Sequence, residues 1–76
     1  MNHNGTAADR EGRLGEALAR LPEDQRLAVE LHHLEGRTLA ETAEIMGRTR
    51  SAVASLVFRG LRNLRRMLDE GGRRDV

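Results

Sequence analysis

The chain has 76 residues, 33% of them charged, a net charge of +1 and no cysteine, and no apolar run nears the ~20 residues that a membrane span requires. These figures exclude a disulfide framework, a thiolate metal site, a cysteine nucleophile and a transmembrane helix, and leave room for one small domain with a modest core. The start, Met1 to Gly5, lacks the apolar centre of a signal peptide, so a soluble, cytoplasmic protein is expected.

Residues 1–9 are small and polar without periodicity and read as a disordered lead-in. A domain spanning 10–69 follows, and residues 70–76 read as a disordered tail. A first helix fits about Arg10 to Arg20, where Leu14, Ala17, Leu18 and Leu21 recur at the spacing of one helical face. Leu21-Pro22 closes it. Pro22 suits the first turn of a second helix, where its missing N–H costs nothing, and Glu23 and Asp24 complement the positive helix N-terminus. Leu27, Ala28, Leu31 and Leu34 predict the buried face of that helix, which Gly36 can end in a left-handed conformation.

Thr38 with Glu41 three residues on predicts a reciprocal capping box at the start of a third, short helix, and Gly47 stops it. Thr49 or Ser51 can cap a fourth helix running to about Asp69. On that helix Val53, Val57, Gly60, Leu64, Met67 and Leu68 share one side, with Leu56 and Leu61 at its margins. No strand-like alternation or repeat occurs, so the fold class is all-α: a small four-helix bundle containing a helix-turn-helix.

Charge along the chain is polarised. Residues 1–47 hold five Arg and nine acids, whereas residues 48–66 hold six Arg and no acid. Ser51, Ser55, Arg59, Arg62 and Arg66 fall opposite the apolar side of the fourth helix. Small residues at its start allow close approach to base edges, and the arginines further along reach phosphates or guanines. A helix built only for solubility interleaves Glu with Arg for i,i+4 pairing, and this one does not. The turn adds a second constraint. A tight crossing of two helices needs a small residue at the contact, a residue tolerating positive φ in the turn, and an apolar residue packing back. Ala43, Gly47 and Val53 meet those needs, and Met46 and Leu56 add apolar contacts.

These residues resemble region four of bacterial RNA polymerase sigma factors, especially the extracytoplasmic-function type. The resemblance runs from about Leu21 to Leu68, through Leu21-Pro22-Glu23-Asp24-Gln25-Arg26, Leu31-His32-His33-Leu34-Glu35-Gly36, Ala43-Glu44-Ile45-Met46-Gly47 and Ala52-Val53-Ala54-Ser55, then Arg59-Gly60-Leu61-Arg62-Asn63-Leu64-Arg65. It implies a four-helix domain whose last helix reads the promoter −35 element and which also contacts the β-subunit flap of the polymerase. An anti-sigma factor is a further expected partner. The chain departs from the family's usual pattern at Arg48, normally an apolar turn residue, at Thr42, where a buried Ile is common, and at Ala54 and Leu56, which are often basic. The family's region two is absent from these residues, so the chain reads as an excised domain or a small stand-alone protein, monomeric when isolated.

On this reading Arg48, Thr49, Arg50, Ser51, Ala52 and Ser55 face bases, Arg37, Arg59, Arg62, Arg65 and Arg66 lie along the phosphates, and Thr38 is a further DNA-binding candidate. No enzyme is expected: the acids mark helix starts, and neither Ser51 nor Ser55 has a base partner. No cofactor or metal is expected either, since His32 and His33, adjacent on a helix, point apart. Phe58, the only aromatic, is expected to complete the core under the first helix, the alternative being an exposed patch for a partner. Two alternatives stand beside promoter recognition. One is a helical interaction module that binds polymerase or an anti-sigma factor with little DNA contact. The other is another helix-turn-helix class, such as a response-regulator output domain or a recombinase tail.

Overall fold

The computed structural model describes residues 12–73, with side chains described through residue 70; the expected lead-in and the start of the first helix at Arg10 lie outside them. Within those bounds the chain forms four helices joined by short turns, and no strand. Helix α1 covers residues 12–20 and ends where the Leu21 amide donates to the Leu18 carbonyl at 3.1 Å. Helix α2 (Glu23–Ala28) starts with Pro22 at the N-cap, one position earlier than expected, and with Glu23 and Asp24 in its first turn.

Helix α2 then widens without a break into a π-helical segment, Val29–Leu34. The Glu35 amide reaches back to Glu30, a five-residue loop, and the Arg37 amide reaches Leu31. Gly36, at φ 75°, turns the chain out, as its position implied. Two expected core residues of this stretch are not core. Leu27 is 37% and Leu34 53% exposed, whereas Ala28, Val29 and Leu31 are buried. The phase is set by Val29, which packs beneath Gly60 where α2 crosses α4, and the π segment shifts the residues after it around the axis.

Helix α3 (Leu39–Met46) opens on the capping box as expected: the Thr38 hydroxyl accepts from the Glu41 amide at 3.0 Å, and the Glu41 carboxylate accepts from the Thr38 amide at 2.9 Å. Gly47 closes it in the left-handed region, φ 67°. Thr42, at a position where the resembled family commonly has a buried Ile, is fully buried, and its hydroxyl donates to the Thr38 carbonyl at 2.9 Å. That bond removes the penalty of burying a hydroxyl.

Helix α4 (Arg50–Arg73) is the spine of the domain, 24 residues long and extending past the expected end near Asp69 into the predicted tail. At 1.5 Å per residue it spans about 36 Å. Its C-terminal half packs with α1: Ala17, Leu21, Val29 and Leu64 form one buried cluster, flanked by Leu14, Leu18, Met67 and Leu68. Its N-terminal half packs with α3: Ala28, Ala43, Val53 and Val57 form a second, flanked by Leu39, Met46 and Leu56. Leu61 touches both clusters. The helix-turn-helix is thus fixed to the rest of the domain through one continuous rod. Among the described residues no helix is long and apolar enough to cross a membrane.

Candidate nucleic-acid interface

The unit α3, turn, α4 is built from the backbone outward. Gly47 takes the positive φ, and its amide and that of Arg48 return to the carbonyls of Ala43 and Glu44, closing α3. Thr49 then caps α4: its hydroxyl accepts from the Ala52 amide and its carbonyl from the Val53 amide, both at 3.0 Å. Of the two expected caps, Thr49 is the one used. Ala43 and Val53, both buried, hold the two helices together at the crossing. Val53 is fully buried, a contribution of about 2 kcal/mol.

This frame fixes which side of α4 faces out. Arg50, Ser51, Ala54, Ser55, Arg59, Arg62, Arg65 and Arg66 are all exposed. At about 100° per residue, Ser51, Ser55, Arg62 and Arg66 lie opposite the line of Val53, Val57, Gly60 and Leu64. No acid stands in the first turn of α4, so the positive end of its helix dipole is uncompensated there. From Ser51 to Arg66 the face runs about 22 Å. Such a surface attracts a polyanion and offers both short side chains for close approach and long forked ones for phosphates.

The other expected contact residues are placed differently. Ala52 is half-buried at the edge of the face; Leu56, expected at the margin of the apolar side, is half-buried and packs into the α3 cluster. Thr38 is committed to the capping box. The Arg37 guanidinium pairs with Glu35 at 3.2 Å, and its carbonyl accepts from Nδ1 of His32 at 2.7 Å. Arg48 pairs with Asp24 of α2. Arg66 donates to Asn63 at 3.2 Å, and Asn63 in turn donates to Gln25 at 3.0 Å, so α2 steadies one arginine of the face. Sequence spacing gives no sign of the Arg48–Asp24 and Asn63–Gln25 links, because partners 24 and 38 residues apart carry no helical periodicity.

Phe58 does not complete the core. It is 66% exposed and lies on the outer face of α4, one turn before Arg62 and one turn after Ala54. Leu18 and Leu61, not Phe58, pack against the cluster of Ala17, Leu21, Val29 and Leu64. The basic face therefore carries one large apolar group near its middle.

Residues 11–64 match the family model described as Sigma-70, region 4. The chain is 38% identical over 58 residues to the ECF RNA polymerase sigma factor BldN of Streptomyces coelicolor, an alignment covering 76% of this chain and 22% of BldN. Among solved structures, a chain of the RsbN-BldN complex superposes with a TM-score of 0.72 at 35% identity, covering 86% of this chain and 47% of that one. The chain thus spans about a fifth of the length of its curated relative.

Proposed function

The chain belongs to the region 4 family of sigma-70 factors, in its extracytoplasmic-function branch, and from that membership we propose that it binds the −35 element of promoters. The recognition helix is the N-terminal half of α4. Arg50, Ser51 and Ser55 face the base edges of the major groove, and Arg59, Arg62, Arg65 and Arg66 line the phosphates. Bound DNA would be presented to RNA polymerase through a contact with the β-subunit flap, as in the family. The observation that carries this reading is the acid-free outer face of α4, exposed from Arg50 to Arg66 and held out by a capped helix-turn-helix. The test is fluorescence anisotropy with a −35-type duplex and a scrambled duplex, using the chain and its Arg50→Ala and Arg59→Ala variants. Preference for the −35 type, lost in Arg50→Ala, supports the reading; equal affinity for both duplexes overturns it.

A second reading rests on Phe58. An aromatic group 66% exposed on the same helix face suits a protein partner, an anti-sigma factor or the polymerase, and the superposition on a chain from the RsbN-BldN complex supports binding of this kind. Capture of the β flap without DNA, repeated with Phe58→Ala, separates the two. Undiminished capture by the variant removes Phe58 as the contact.

A further inference from the structure

Among the described residues two ion pairs occur, and only one joins parts of the chain distant in sequence. The guanidinium of Arg48, in the turn before α4, meets the carboxylate of Asp24 in the first turn of α2. Both side chains are about half exposed, 44% for Arg48 and 49% for Asp24, so a competing anion can reach the pair without any unfolding. Arg48 also stands at the open end of the acid-free face, next to the uncompensated N-terminus of α4.

We propose that Asp24 acts as an internal competitor for Arg48, a carboxylate that a DNA phosphate must displace, and so sets how much Arg48 adds to DNA affinity. The proposal rests on the DNA-binding reading above. A carboxylate and a phosphate present the same acceptor geometry to a guanidinium fork, so the exchange conserves the hydrogen bonding of Arg48. An exposed pair is weak, which makes the exchange easy. Once released, Asp24 stays at the positive end of α2, where the helix dipole accommodates it, yet its charge remains close to the incoming phosphate and opposes binding. Asp24 is therefore a residue that restrains affinity while touching no DNA.

The test uses the full 76-residue chain and a fluorescein-labelled −35-type duplex, read by anisotropy across a salt series. Asp24→Asn is compared with Glu23→Gln, which removes the same charge from the same helix turn but from a residue outside both ion pairs. Each is made with Arg48 present and with Arg48→Ala. The expected result is a gain of about 2- to 5-fold in affinity for Asp24→Asn. The salt slope should steepen by up to about 0.9, the value of one added phosphate contact. Glu23→Gln should give a smaller gain and no change in slope. In the Arg48→Ala background the Asp24→Asn gain should fall to that of Glu23→Gln. An equal gain with and without Arg48, or no gain at all, overturns the proposal. If the starting chain binds scrambled and −35-type duplexes alike, the DNA reading has failed and the proposal fails with it; specific binding without the coupling defeats the proposal alone.

Discussion

A Cβ placed on Gly60 would lie 2.6 Å from Cγ2 of Val29, so α2 and α4 approach at Gly60 more closely than any side chain there permits. Val29 is 1% exposed and β-branched, and the Gln25 carbonyl oxygen stands 3.3 Å from the same point, so neither neighbour can yield cheaply. Gly60→Ala gains about 1 kcal/mol in helix propensity but meets an overpacking cost of about 1–3 kcal/mol. A net loss of up to about 2 kcal/mol in urea unfolding is expected. Combining it with Val29→Ala should recover part of that loss, giving a favourable coupling in the double-mutant cycle.

Thr42 is buried on α3 with its hydroxyl on the Thr38 carbonyl, which already accepts from the Thr42 amide at 2.9 Å. Removing the hydroxyl therefore leaves no orphaned acceptor. Thr42→Val should change stability by less than about 1 kcal/mol, whereas Thr42→Ser, which loses a buried methyl, should cost about 1 kcal/mol. Thermal denaturation of the two variants ranks methyl against hydroxyl. The opposite order would show that the hydrogen bond dominates.

The two helix starts are separable by mutation. Thr38→Ala removes the capping box of α3, and Thr49→Ala the single cap of α4; each should lower stability by about 1 kcal/mol. Only Thr49→Ala should also weaken DNA binding, because Thr49 orders the first turn of the recognition helix. Anisotropy and urea unfolding on the same samples distinguish the two effects.

Much of the fold was legible because it is locally encoded. The capping box of Thr38 and Glu41, the left-handed Gly36 and Gly47, and the apolar line from Val53 to Leu64 each depend on neighbours within one or two turns. The departures have two causes, one in tertiary contact and one local. Period alone places Leu27 and Leu34 in the core, but the Val29 to Gly60 crossing sets the phase of α2 and the π segment breaks the 3.6-residue count. Phe58 was expected inside because it is apolar, yet its place on the wheel lies with Ser51 and Arg62, a fact periodicity held and hydrophobicity overrode. At the site, the basic face of α4 was visible as charge. The pairing of Arg48 with Asp24 was not, because it joins distant positions.

Exposure of Phe58 yields a further prediction. Phe58→Ala should leave stability within about 0.5 kcal/mol of the starting chain, since no core contact is lost. A core role would instead cost about 3 kcal/mol or more. One unfolding curve decides between the two placements.

The central claim, that the outer face of α4 grips DNA through its arginines, is tested most directly by the salt dependence of binding to a −35-type duplex. The account predicts a linear fall of log K with log salt, with a slope of about −3 to −4 for the phosphate contacts of Arg59, Arg62, Arg65 and Arg66, shallower by about 0.9 for each replaced by Ala. A slope near zero, or one unchanged when those arginines are removed, would contradict it.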